Sequence, residues 1–371
     1  MRSAILLCVT AWFCGRSLAE EWIVDSNSSY ADAQSRLTPG DTLTLRAGVY
    51  SGAQSRGCRA IVVNVSNVTL RSQVPNSVVI NCSNSSRHLT LMGSNITVQG
   101  ISFVDGYSPD SGGCLAVNQS GCVLQDCIFS RCSTSLNGGG ISIADAARTA
   151  AISNAEFYSC TAYSGGALYL NGAVYAKLNG SLRFQNNRAL LSGAGVYLNN
   201  GSVIEINTSD AIFSHNTAYV TGGAIFAGSG CAIVISGTAS FVNNSATSSV
   251  NASAGGALFV AGGTVAFSED SSLTFKDSFC IGSGGAVALV QGSKLQASGS
   301  LAFSGTCGPL STAFVTCSLL RLSEVRPPSQ ATAPGFPGGP CTSRARPWSP
   351  RPRRRSCSNA TAAPGRSGGA P

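Results

Sequence analysis

The chain has 371 residues, 43 of them Gly, with 43% hydrophobic and only 11% charged side chains. That apolar fraction suits a packed interior rather than disorder, and the absence of a Gly-X-Y period excludes collagen. The formal charge of +8 sits at the two ends, since residues 1–19 carry +2, residues 324–371 carry +7 and the body between them −1. A basic nucleic-acid-binding body is therefore excluded.

Residues 1–19 have the layout of a secretory signal peptide: Arg2, a short apolar run from Ala4 to Phe13, and small residues at Ser17 and Ala19 before Glu20. The run is too short to span a bilayer, and no later stretch reaches about 20 apolar residues. Thirteen of the 15 Cys follow the leader, which fits an oxidising compartment. Twelve Asn-X-Ser/Thr sequons lie in the body, at Asn27, Asn64, Asn67, Asn81, Asn84, Asn95, Asn118, Asn179, Asn200, Asn207, Asn243 and Asn251. Their excess favours a glycosylating, eukaryotic secretory route. The expected location is secreted or at the cell surface.

Residues 20–111 contain short alternating runs, such as Asn67–Leu70, Val78–Ile80 and Asn95–Ile101, consistent with irregular early coils of a repeat array. The array proper occupies residues 112–323. Seven times a Gly-rich opening, at Gly112, Gly138, Gly165, Gly193, Gly222, Gly255 and Gly284, leads into an apolar run and then a Phe. The Phe residues are 129, 157, 184, 213, 241, 275 and 303, spaced 28, 27, 29, 28, 34 and 28 apart. One fixed period of this length marks a stacked supersecondary unit.

Within the unit starting at Gly165, three alternating stretches are visible: Ala167–Leu170, Val174–Leu178 and Leu182–Phe184. Asn171-Gly172 and Asn179-Gly180 separate them as turn dipeptides. Three short strands per 28 residues predict an all-β fold, a right-handed parallel β-helix of roughly ten coils. A β-propeller blade needs about 40–45 residues, and strands of a membrane barrel need about 9–11. Stacking equivalent positions about 4.8 Å apart predicts an interior Phe column and a polar ladder of Asn187, Asn216 and Asn244.

Thr38-Pro39-Gly40-Asp41-Thr42-Leu43, running on to Gly48-Val49-Tyr50, resembles the opening of pectin-lyase-like β-helix domains. The repeat GGA(I/L/V) followed by F-x-x-N, over about 112–307, resembles that of the polymorphic outer-membrane protein family. Its best copies are Gly222–Ile225 with Phe241–Asn244, and Gly165–Leu168 with Phe184–Asn187. The resemblance implies a passenger displayed at the cell surface, in bacteria at the outer membrane, and linked to adhesion. The sequence departs from that pattern in using Cys132 and Cys160 in F-x-x-C and in carrying no C-terminal translocating barrel. Membrane association through a missing C-terminal segment is a further expectation.

Enzymes on this fold need clustered carboxylates. The only local concentration is Asp105, Asp110 and Asp126 with Arg131, and the neighbouring Gly106 and Pro109 make turn roles the commoner reading. His88 and His215 stand alone. No residue is assigned a catalytic, cofactor-binding or metal-binding role, and no cofactor is expected. Cys132 and Cys160 share one phase of consecutive repeats, as do Cys280 and Cys307, while Cys58 and Cys82 are 24 apart. Stacked pairs fall within disulfide range, with stacked free thiols as the alternative. Cys122, Cys127 and Cys132 lack His partners, which disfavours zinc.

From Glu324 the chain is Pro- and Arg-rich, with RPRRR at 351–355 and no apolar period. It is either a disordered basic tail or sequence beyond the coding repeat. The functional expectation is a structural or adhesive rod without catalysis, whose partners are cell-surface glycans or surface proteins. The alternative is a polysaccharide lyase, a hydrolase or a glycan-binding module on the same fold.

Overall fold

The computed structural model describes residues 19–25, 33–51, 61–144, 148–249, 253–306, 314–315 and 325–326. The leader, the basic tail, Cys58, Cys307 and the sequons at Asn27 and Asn251 lie outside them. The chain winds into a right-handed parallel β-helix of about nine turns. Its strands form sheets of 18, 10 and 7 members.

One coil shows how the sequence produces this. Leu168–Asn171 alternates buried and half-exposed side chains and belongs to the ten-stranded sheet. Tyr175–Gln185 belongs to the large sheet, and Arg188–Ala189 to the seven-stranded one. Two details differ from the reading of the sequence. Asn179-Gly180 does not end a strand. The parallel ladder runs through it with a register shift, and Gly180 adopts φ 69°, so the dipeptide makes a bulge. The third sheet, built of two-residue strands, was not among the predicted stretches.

The predicted columns are present. Phe103, Phe129, Phe157, Phe184, Phe213, Phe241, Phe275 and Phe303 stack with ring centroids 4.7–5.2 Å apart, the natural rung spacing of a sheet. Register carries the column upstream through Ile80 to Tyr50. Parallel pairing also crosses residue 111 without a break, as in Leu89↔Leu115 and Phe103↔Phe129, so the irregular early coils and the repeats share one ladder.

Asn187 donates Nδ2–H to Asn216 Oδ1 at 2.9 Å, and Asn216 donates to Asn244 Oδ1 at 3.0 Å, forming the expected buried ladder. The seven repeat-opening glycines all have φ between +62° and +86°. A Cβ on any of them would lie 2.3–2.7 Å from the carbonyl oxygen three residues on. That corner therefore admits only Gly, which explains why the motif begins as it does.

Candidate functional site

The acidic concentration resolves into corner chemistry. Asp105 follows its strand in the left-handed region at φ 54°, and Arg131 occupies the same place one coil later at φ 52°. The guanidinium grips Asp105 with Nε and Nη2 at 2.6 and 2.9 Å, and Asn81 Nδ2 adds a bond at 3.2 Å. The hydrogen bonds from Arg131, then its charge, hold the Asp105 carboxyl below the usual carboxylate range.

Asp126 sits at a different corner, also left-handed, where its Oδ1 accepts from Asn154 Nδ2 at 2.9 Å. Asp110 lies apart from both, its backbone carbonyl accepting from Thr134 Oγ1 at 2.7 Å. His215 continues the Asp105 corner at φ 56° and pairs with Asn243 at 3.2 Å through Nε2. The sequence signal was present: the residue two after each column Phe is always left-handed, a conformation that Asn and Asp tolerate well. Among the described residues, no group of three or more His, Cys, Asp or Glu side chains could hold a metal.

The corrections concern the cysteines. Cys132 is bonded to Cys114, 18 residues back with Cα atoms 5.4 Å apart, and not to Cys160. Stacked residues aim their Cβ vectors in parallel, whereas Cys114 and Cys132 face one another across a coil. Cys160 remains a buried thiol whose ionisation burial pushes up to about 12, and Cys280 is also free and buried. Cys82 is disulfide-bonded.

His88, which reads as isolated in sequence, is fully buried one rung above Cys114. Its Nε2 donates to the carbonyls of Ile80 and Val104 at 2.9 and 3.0 Å, and Nδ1 has no partner. Its ring packs edge-on to Phe103. Burial drives its pKa down to about 4, so the ring is neutral. It is a core group.

On the surface, the seven-stranded sheet and its flanks present a run of apolar side chains. Leu136, Tyr163, Leu190 and Tyr219 come from four consecutive coils and are 44–53% exposed. Backbone bonds from Tyr163 N to Leu136 O, and from Leu191 N to Tyr163 O, tie these coils edge to edge. Arg188 and Thr217 border a shallow cleft between Leu190 and Tyr219. An exposed apolar run of this kind is a candidate interaction surface. Sequence reading missed it because its members lie between the Phe and Gly landmarks and share no residue identity.

No protein-family model matches the sequence, and no match to a curated protein was found. Among solved structures, the chain is similar to a mannuronic-acid-specific polysaccharide lyase of family 6 from the human gut microbiota. The identity is 11%, the match covers 76% of this chain and 87% of that one, and the TM-score is 0.35. No residue role is carried over from it.

Proposed function

We propose that the protein is a secreted or cell-surface β-helix rod with a structural and adhesive role, in the manner of the polymorphic outer-membrane protein passengers that its repeat resembles. The observation that carries this reading is the apolar strip of Leu136, Tyr163, Leu190 and Tyr219 along the coils. A surface protein with an apolar patch is the partner such a strip fits, because burying these side chains on contact is favourable by about 25 cal/mol per Å². Asp105 and Asp126 support it from the other side, since both are engaged in holding corners.

The test uses the full chain on cultured cell monolayers. A Tyr163→Ser, Leu190→Ser, Tyr219→Ser triple variant should lose at least tenfold in cell binding while its circular dichroism is unchanged. Equal binding by the triple variant would overturn the adhesive role of the strip. Release of unsaturated ends from alginate or pectin, abolished by Asp105→Ala, would replace the rod with an enzyme.

A further inference from the structure

The outward face of the ten-stranded sheet carries a second aromatic stack, distinct from the interior one and from the apolar strip. Tyr169, Tyr197, Phe226 and Phe259 occupy one register position in four consecutive coils. Their ring centroids are 5.5, 4.5 and 5.6 Å apart. The two coils before Tyr169 place Ser142 and Ala116 at that position. The column thus steps from rings down to small side chains. A cleft of about 410 Å³ opens at the step, with Tyr169 as one wall, a size within the range of small-ligand sites.

Apart from Ala116 and Ala144, the remaining walls are polar and partly unspent. Among the described residues, the side chains of Asn137 and Ser142 make no hydrogen bond, and Asn171 uses only its Oδ1, which accepts from Asn200 Nδ2 at 2.7 Å. Arg87 is fixed by Gly112 O, Thr90 Oγ1, Ser108 Oγ and Ser111 O at 2.7–3.1 Å. These use four of its five N–H donors. Asp110 also lines the cleft and offsets its charge. A tyrosine ring bordered by amides, with no net charge among the described lining residues, matches a pyranose, which has an apolar C–H face and a rim of hydroxyls.

Asn118 narrows the class. It lines the same cleft and opens the sequon Asn118-Gln119-Ser120. Its Nδ2 is donated only to the thioether of Met92, at 3.0 Å. By contrast, the sequon residues Asn95 and Asn200 commit theirs to the amide oxygens of Asn67 and Asn171. Two rungs separate the Asn118 coil from Tyr169, roughly 10 Å along the axis, within reach of the first two sugars of an attached glycan.

We propose that this cleft seats a neutral pyranose of the N-acetylglucosamine class against Tyr169. The sugar is either that of a glycan on Asn118 or that of a separate glycan. Only the attached source rests on the secretory reading given above, and the adhesive strip is not involved.

The full chain made in a bacterial periplasm, without glycans, is titrated with chitotriose and followed by saturation-transfer NMR. Saturable binding is expected. Tyr169→Ala should weaken it at least tenfold, a loss of about 1.4 kcal/mol. Ser142→Tyr, which extends the column into the cleft from an outward position, should abolish it while keeping the fold. The strip variant Tyr163→Ser should bind as the parent does. Absence of chitotriose binding, or binding that survives both cleft variants, overturns the proposal.

A second arm uses protein from a glycosylating host. If glycopeptide mapping finds Asn118 occupied and chitotriose binds only after Asn118→Gln, the seat belongs to the attached glycan. Binding with Asn118 unmodified assigns it to a separate one.

Discussion

Two facing interior columns trade volume along the first repeats, and His88 exists because of that trade. One column runs His88, Cys114, Gly140, Ala167, and the other Gly106, Cys132, Cys160, Asn187. At the first rung the large His88 faces the small Gly106, and one coil on two cysteines meet and bond. A Cβ on Gly106 would lie 2.5 Å from Cys114 Sγ and 2.6 Å from His88 Nδ1. The imidazole therefore fills space that Gly106 vacates, and it lies where water does not reach it. A neutral histidine in that place makes stability depend on pH. With a folded pKa of about 4 against 6.5 when unfolded, the folded chain refuses a proton that the unfolded chain takes up. The contribution is complete above about pH 6.5 and is lost as the pH falls toward 4, by about 3 kcal/mol in all. Urea unfolding between pH 7 and 4.5 should show this fall, and nitrogen-15 shifts should show the His88 ring neutral at pH 5. A ring that titrates near 6.5 in the folded protein would sink the account.

The Asn ladder is where one repeated letter does most for an element. Asn216 accepts from Asn187 N and Nδ2 at 3.1 and 2.9 Å, and donates to Phe184 O and Asn244 Oδ1 at 2.8 and 3.0 Å. Truncation would bare a buried backbone N–H and carbonyl at one stroke. Asn216→Ala should therefore cost about 2–4 kcal/mol. Asn243→Ala, at the exposed left-handed corner beside the ladder, should cost about 1 kcal/mol or less. Equal losses in urea unfolding would show that the buried amides are not what holds this corner. The ladder, the Phe column and the Gly corner were legible in the sequence for one reason: a stacked position tolerates few residue types, so its chemistry repeats as letters. The seven-stranded sheet was not legible, because strands such as Arg188–Ala189 are too short to alternate. The Cys114–Cys132 bond was missed since it joins two phases of one coil, and the repeat advertises only like with like. The outer stack of Tyr169, Tyr197, Phe226 and Phe259 was spelled out in the openings, yet an apolar run does not say which of its members face outward. The candidate sites were harder to see than the fold because function on a solenoid sits where the repeat is broken, as at the step from Ser142 to Tyr169.

At the scale of the molecule, each coil pairs only with the coil before and the coil after it, with register kept from Tyr50 to Phe303 through ten stacked positions. Such an array is close to one-dimensional, and its stability is a sum of coil and interface contributions. Its length is not fixed by closure, as it would be in a barrel. Removal of one complete coil in register should leave a shorter array of the same kind. Leu170 pairs with Leu198 and Asn171 with Asn199, so deleting residues 171–198 joins Leu170 to Asn199 in phase. Phe157 then meets Phe213, Tyr169 meets Phe226, and Cys160 takes the place of Asn187 beside Asn216. The shortened chain should fold, keep its β-type circular dichroism, and unfold with a denaturant slope lower by about a tenth, since that slope scales with the surface exposed. A deletion offset by one residue, 171–197, should be the less stable of the two, because the odd residue must be taken up as a bulge like that at Asn179-Gly180 or turn the inward side chains of its strand outward. If both deletions behave alike, register is not what the stacked columns enforce.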